Sequence, residues 1–173
     1  MDILNLQEAD RTLTYRFEDL LLYHGPGSPG GVAHAFKVLE VALPKLAQGP
    51  EPVQRRDIRI ETAFPGPGAR DAFEMATRCV SEGRYLVDLN HPDAPPALPS
   101  PRGFYFFRLC FGQRQVDCRV RPGLVHQEFI DLSRKTERNA ADEVRLIELK
   151  WEMTERLLAL PADKVYDAVV SAG

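Results

Sequence analysis

The sequence predicts an α+β domain, a mixed or antiparallel sheet with helices packed on it, and three observations lead there. Apolar residues recur at helical spacing along residues 32–46 and again along 139–160. Short runs rich in β-branched and aromatic residues, at 56–62 and at 104–111 with 115–121, lie between those helical stretches. The length of 173 residues is that of one domain with one core, so residues 1–173 are expected to form a single unit.

Taken in order, Leu13, Phe17, Leu20 and Leu21 fall on one helical stripe, which predicts a first helix over 11–23. His24 continues that stripe three residues past Leu21 and is expected to point inward. The segment His24–Gly31 reads His-Gly-Pro-Gly-Ser-Pro-Gly-Gly and cannot continue a helix, because its prolines and glycines impose or permit the wrong dihedrals. Ser28 then Pro29 is a start signal, and Val32, Phe36, Leu39, Leu43 and Leu46 carry a second helix. Residues 56–62 read as a strand with Ile58 and Ile60 on one face, and the Pro65–Asp71 segment repeats the Gly-Pro-Gly device before a third helix.

Residues 85–89 are expected to form a short strand and 90–103 a proline-rich loop. Residues 104–111 and 115–121 flank Gly112-Gln113 as a hairpin, which sets Cys118 opposite Phe107 and on the other face from Cys110. The last long helix, about 139–160, has two apolar faces. Leu146, Leu149, Met153, Leu157 and Leu160 form one, and Val144, Ile147, Trp151 and Leu158 the other. One face serves the core, and the second predicts a homodimer interface.

With 22 Lys and Arg against 25 Asp and Glu, the net charge of −3 offers no attraction to nucleic acid or to an anionic membrane. The start, MDILNLQEADR, lacks the basic and apolar regions of a secretory signal, so a cytoplasmic location is expected. Cys79, Cys110 and Cys118 have unrelated spacings and no CxxC pair, as in a reducing compartment.

Two loops carry the candidate chemistry. His24 is either a metal ligand or proton-transfer group, or a core histidine satisfied by a backbone carbonyl. Ser28 and the first amides of the second helix suit an anion or a ligand oxygen, or Ser28 is a simple N-cap. Gly66 and Gly68 add further amides beside Arg70 and Asp71, and glycines let a ligand approach backbone closely. Gly25, Ser28, Gly30, Gly66, Gly68 and Arg70 are therefore the expected cofactor- or ligand-binding residues. Neither loop follows a phosphate-binding fingerprint. His34, His91 and His126 stand isolated and are read as structural.

The run His-Gly-Pro-Gly-Ser-Pro-Gly at 24–30 resembles the H-G-H-x-C-P-G motif of the FmdE-like proteins, a family named for a component of formylmethanofuran dehydrogenase. Asp-Ala-Phe-Glu-Met-Ala-Thr-Arg-Cys at 71–79 is similar to their D-A-I-Q-x-x-T-G-C, and residues 157–167 to their closing L-P-x-x-x-L-F-x-V. The resemblance implies a mixed α+β fold and a metal, typically zinc, or a metal-containing cofactor near the His-Cys loops. Some relatives add a C-terminal zinc ribbon, which is not expected here. Pro26 and Ser28 stand where the family has histidine and cysteine, so only His24 and Cys79 carry over as metal ligands. The functional expectation is a metal- or cofactor-binding protein with its ligand between the two loops. The alternatives are a small enzyme using His24 as acid or base, and a non-catalytic accessory component of a redox enzyme complex.

Overall fold

A computed structural model of the chain describes residues 3–96 and 99–172. It opens with a hairpin of β1 (Leu4–Glu8) and β2 (Arg11–Tyr15), paired antiparallel with Leu6 opposite Leu13. This corrects the expected helix over 11–23. The spacing of Leu13, Phe17 and Leu20 matches a helical stripe, but Leu13 belongs to a strand and only α1 (Phe17–His24) is helical. The period-2 burial of Leu4 and Leu6, with Ala9 at φ 53 in the turn, is the strand signal that prevails.

After a tight loop, α2 (Pro29–Leu46) starts where the Ser-Pro signal places it and is buried along most of its length. A single 3-10 turn at Arg55–Asp57 leads into β3 (Arg59–Thr62), α3 (Pro67–Thr77) and β4 (Tyr85–Val87). Strands β3 and β4 are parallel, and α3 lies in the long crossover connection that parallel pairing needs. The proline-rich loop follows, within which residues 97 and 98 lie outside the described residues.

Strands β5 (Phe106–Phe111) and β6 (Arg114–Val120) form the expected hairpin, with Phe107 opposite Cys118 and Cys110 opposite Gln115. Side chains alternate along a strand, so the two cysteines stand on opposite faces. The three thiols are free and buried. Beyond α4 (Gln127–Arg134) and α5 (Ala140–Leu158), the one-turn α6 (Ala162–Val165) leads into β7 (Tyr166–Ala172). Strand β7 pairs antiparallel with β6 and completes a five-stranded sheet in the order β4-β3-β5-β6-β7.

Helix α2 is the hub. It packs on β5, β6 and β7 of the sheet and against α1, α3 and α5 on its other sides. Helix α5 turns Leu146, Leu149, Met153 and Leu157 into this core, while Val144 and Ile147 remain 58% and 56% exposed. The core face is as the sequence reads it, whereas of the second face only Val144 and Ile147 are exposed, Trp151 being half-buried and Leu158 packed against the core. Among the described residues, no helix is long and apolar enough to cross a membrane.

Candidate functional site

The two glycine- and proline-containing loops meet. Each ends at a proline in the first helical position, Pro29 and Pro67, so α2 and α3 start side by side. Gly68 makes this possible, since a β-carbon there would stand 2.3 Å from the Ser28 carbonyl oxygen. The space it leaves is filled by the protein's own main chain. A β-carbon at Gly30 would meet the Met153 methyl on α5, the movable end of a flexible side chain, so this contact constrains the fold less.

Beside this crossing lies a cavity of about 250 Å³. Ser28, Gly30, Gly66 and Gly68 line it, four of the residues that the sequence singles out. Gly25 and Arg70 lie outside its wall. Further wall comes from Phe64, Tyr105, Arg102, Phe129, Lys150 and Met153. Phe64 and Tyr105 stack at 4.6 Å between centroids. The turn carrying Arg102 is held from both sides. Ser100 N–H donates to Gly103 O at 2.9 Å, Phe104 N–H to Ala63 O at 3.0 Å, and the Arg134 guanidinium on α4 to Ser100 O at 2.8 Å and Pro101 O at 3.0 Å.

Polar groups at the wall are largely donors. The Lys150 ammonium donates to the Gly27 carbonyl at 2.8 Å, and burial lowers its pKa. The Ser28 hydroxyl occupies the N-cap position of α2 without capping it. Tyr105 is 1% exposed, and its hydroxyl has no hydrogen-bond partner among the described residues. Burial pushes its pKa up, so it remains a neutral O–H.

Behind this wall, His34 stacks on Tyr105 with centroids 4.3 Å apart, and its Nδ1 lies 2.6 Å from the Tyr166 hydroxyl. Full burial depresses its pKa to about 3, so the ring is neutral, and Nε2 has no partner. His34 is thus a core histidine, as read, but one tied to the sheet's last strand.

His24 closes α1 with its side chain 10% exposed, and its Nδ1 is 2.8 Å from Asp71 Oδ2. The bland alternative, a backbone carbonyl partner, is replaced by a carboxylate, which Arg70 holds on its other oxygen at 3.0 Å. Cys79 follows the last turn of α3, fully buried, and burial pushes its thiol up to about 11. Thr77, the last helical residue, is already about 9 Å along the axis from Asp71 at 1.5 Å per residue. Among the described residues, no group of three or more His, Cys, Asp or Glu side chains is placed to hold a metal ion.

Local pattern marks the loops but not Tyr105, Phe129 or Lys150. Those come from β5's entrance and from two later helices, and nothing in their neighbourhood along the chain distinguishes them. No protein-family model and no curated protein sequence matches the chain.

Proposed function

We propose that the protein binds a small organic molecule in the cavity between the His24–Gly31 and Pro65–Asp71 segments. The observation that carries this is the convergence of both loops, through Ser28, Gly30, Gly66 and Gly68, on one largely apolar cavity. Zinc at His24 and Cys79, which the family resemblance implies, has less support. A closed zinc site wants four ligands with thiolate donors, whereas the Cys79 thiol is protonated and buried and His24 is engaged by Asp71. The residues present do not fit that ion.

A fragment screen by protein-observed NMR tests the proposal. Hits should shift residues 28–31 and 64–68 and be lost in Ser133→Trp, which fills the cavity from its half-buried rim. Hits that survive that substitution, or stoichiometric zinc in untagged protein that both His24→Ala and Cys79→Ala remove, would overturn it.

A second reading, acid–base chemistry at His24, is favoured by one observation. Asp71 holds Nδ1 and leaves Nε2 to exchange a proton, the arrangement in which a carboxylate orients a catalytic imidazole. Loss of turnover in both His24→Ala and Asp71→Asn, with folding intact, is the result it requires.

Association through α5 is the third element, resting on the exposed Val144 and Ile147. The partner is a second copy of the chain, so Ile147→Glu should halve the solution mass. An unchanged mass would remove that element, and a foreign protein on this face would instead support an accessory role in a larger complex.

A further inference from the structure

The cavity's charge is as informative as its place. The chain has more acids than bases, 25 against 22, yet no Asp or Glu lines the cavity while Lys150 and Arg102 both do. The acids next to Lys150 on α5 are engaged elsewhere, since Glu148 and Glu152 both pair with Arg145. Lys150 has one acceptor, the Gly27 carbonyl, and Arg102 forms no ion pair among the described residues. A half-buried ammonium with a single neutral acceptor is left short of compensation, which is why burial lowers its pKa.

Backbone adds to the same sign. Helices α2 and α3 both begin at the cavity, and their first amides have no acceptor within the helix. Neither start is capped by a side chain. Independently of the helix ends, Tyr105 in the same wall is 1% exposed, and its hydroxyl makes no hydrogen bond among the described residues. Donors and positive charge therefore converge from three directions on a space otherwise walled by Phe64, Phe129, Met153 and prolines.

Resting on the cavity reading, we infer that the bound molecule is a small organic carboxylate with an apolar, ring-sized body. The carboxylate takes the hydrogen bonds that Lys150 and the α2 and α3 amides leave open, and the body lies along the stacked Phe64 and Tyr105 rings. The volume of 250 Å³ corresponds to about eight waters at 30 Å³ each, smaller than sites for drug-sized ligands. Neither loop has a phosphate-binding pattern, which argues against a nucleotide.

The test is an NMR titration of the full chain with three probes of one shape, benzoate, benzamide and benzylammonium. Benzoate should bind about tenfold or more tightly than benzamide, as loss of one charge-assisted bond implies, with shifts at residues 28–31, 64–68 and 105. Benzylammonium should not bind. Lys150→Met should abolish the preference for benzoate, and Lys150→Arg, which keeps the charge, should retain it. Benzamide binding as well as benzoate at those residues would overturn the anion inference and leave the cavity reading standing. Absence of shifts there with all three probes would count against both.

Discussion

Gly68 lies against the Ser28 carbonyl oxygen so closely that a β-carbon at position 68 would stand 2.3 Å from it. That distance ties the two loops, forty residues apart, into one structure and sets the mouth of the cavity. Gly68→Ala should therefore force α2 and α3 apart and destabilise the fold by about 1–3 kcal/mol, as overpacking does. Gly27→Ala, where a β-carbon meets nothing within 4 Å, should stay within about 0.5 kcal/mol. Urea unfolding of the two variants checks the contrast, and equal effects would remove the packing role given to Gly68.

His34 predicts a pH dependence. Its pKa falls from 6.5 to about 3 on burial, so between those values the unfolded chain binds a proton that the folded chain refuses. Stability from this residue is complete above pH 6.5 and is lost as pH falls, by up to about 1.4 kcal/mol per pH unit. His34→Asn keeps an acceptor for the Tyr166 hydroxyl and removes the titration. Denaturation series between pH 6.5 and 5.5, where the carboxylates stay ionised in both states, should show the slope reduced in the variant. Parallel slopes would contradict the assignment.

The cysteines should be unreactive in the folded protein. Burial raises the Cys79 thiol to about 11, Cys118 to about 12 and Cys110 in the same direction. The thiolate is the reacting species, so Ellman's reagent at pH 8 should modify Cys79 and Cys118 in the native chain at least about a hundredfold more slowly than a free thiol, and Cys110 more slowly than a free thiol. All three thiols should appear on adding denaturant. Rapid labelling of Cys79 in the native state would reopen it as a metal ligand.

Helix α5, which brings Lys150 and Met153 to the cavity, begins at a reciprocal cap. Asp142 N–H donates to Asn139 Oδ1 at 2.9 Å and Asn139 N–H to Asp142 Oδ2 at 3.0 Å. Asn139→Ala should cost about 1 kcal/mol. Probe binding at saturating ligand should be unchanged, because Lys150 lies almost three turns further on. Global unfolding measured with and without benzoate separates the two effects.

Much of the fold was readable from single residues. Ser28-Pro29 and Gly66-Pro67 mark the starts of α2 and α3, because proline suits a first helical position and little else nearby does. Gly112, at φ 58, marks the β5–β6 turn, and the turn fixes register, so Phe107 opposite Cys118 followed directly. The β1–β2 hairpin was not readable, since Leu13, Phe17 and Leu20 satisfy a helical period while Leu4 and Leu6 satisfy a strand one. Pairing between strands resolves the conflict, and pairing is not a local property.

For the site, the sequence by itself determined that two segments of constrained backbone would each open a helix, because that is set by proline and glycine dihedrals within a few residues, whereas it left Ser28 as a candidate cap. Only the tertiary structure decided what those starts face. Tyr105, Arg102 and Lys150 reach the cavity from an incoming strand, a turn and a helix. His24 was drawn to Asp71, and Cys79 was left beyond the far end of α3. Such neighbours arise from how buried surfaces of distant elements fit together, and the spacing of residues along the chain carries no record of that fit.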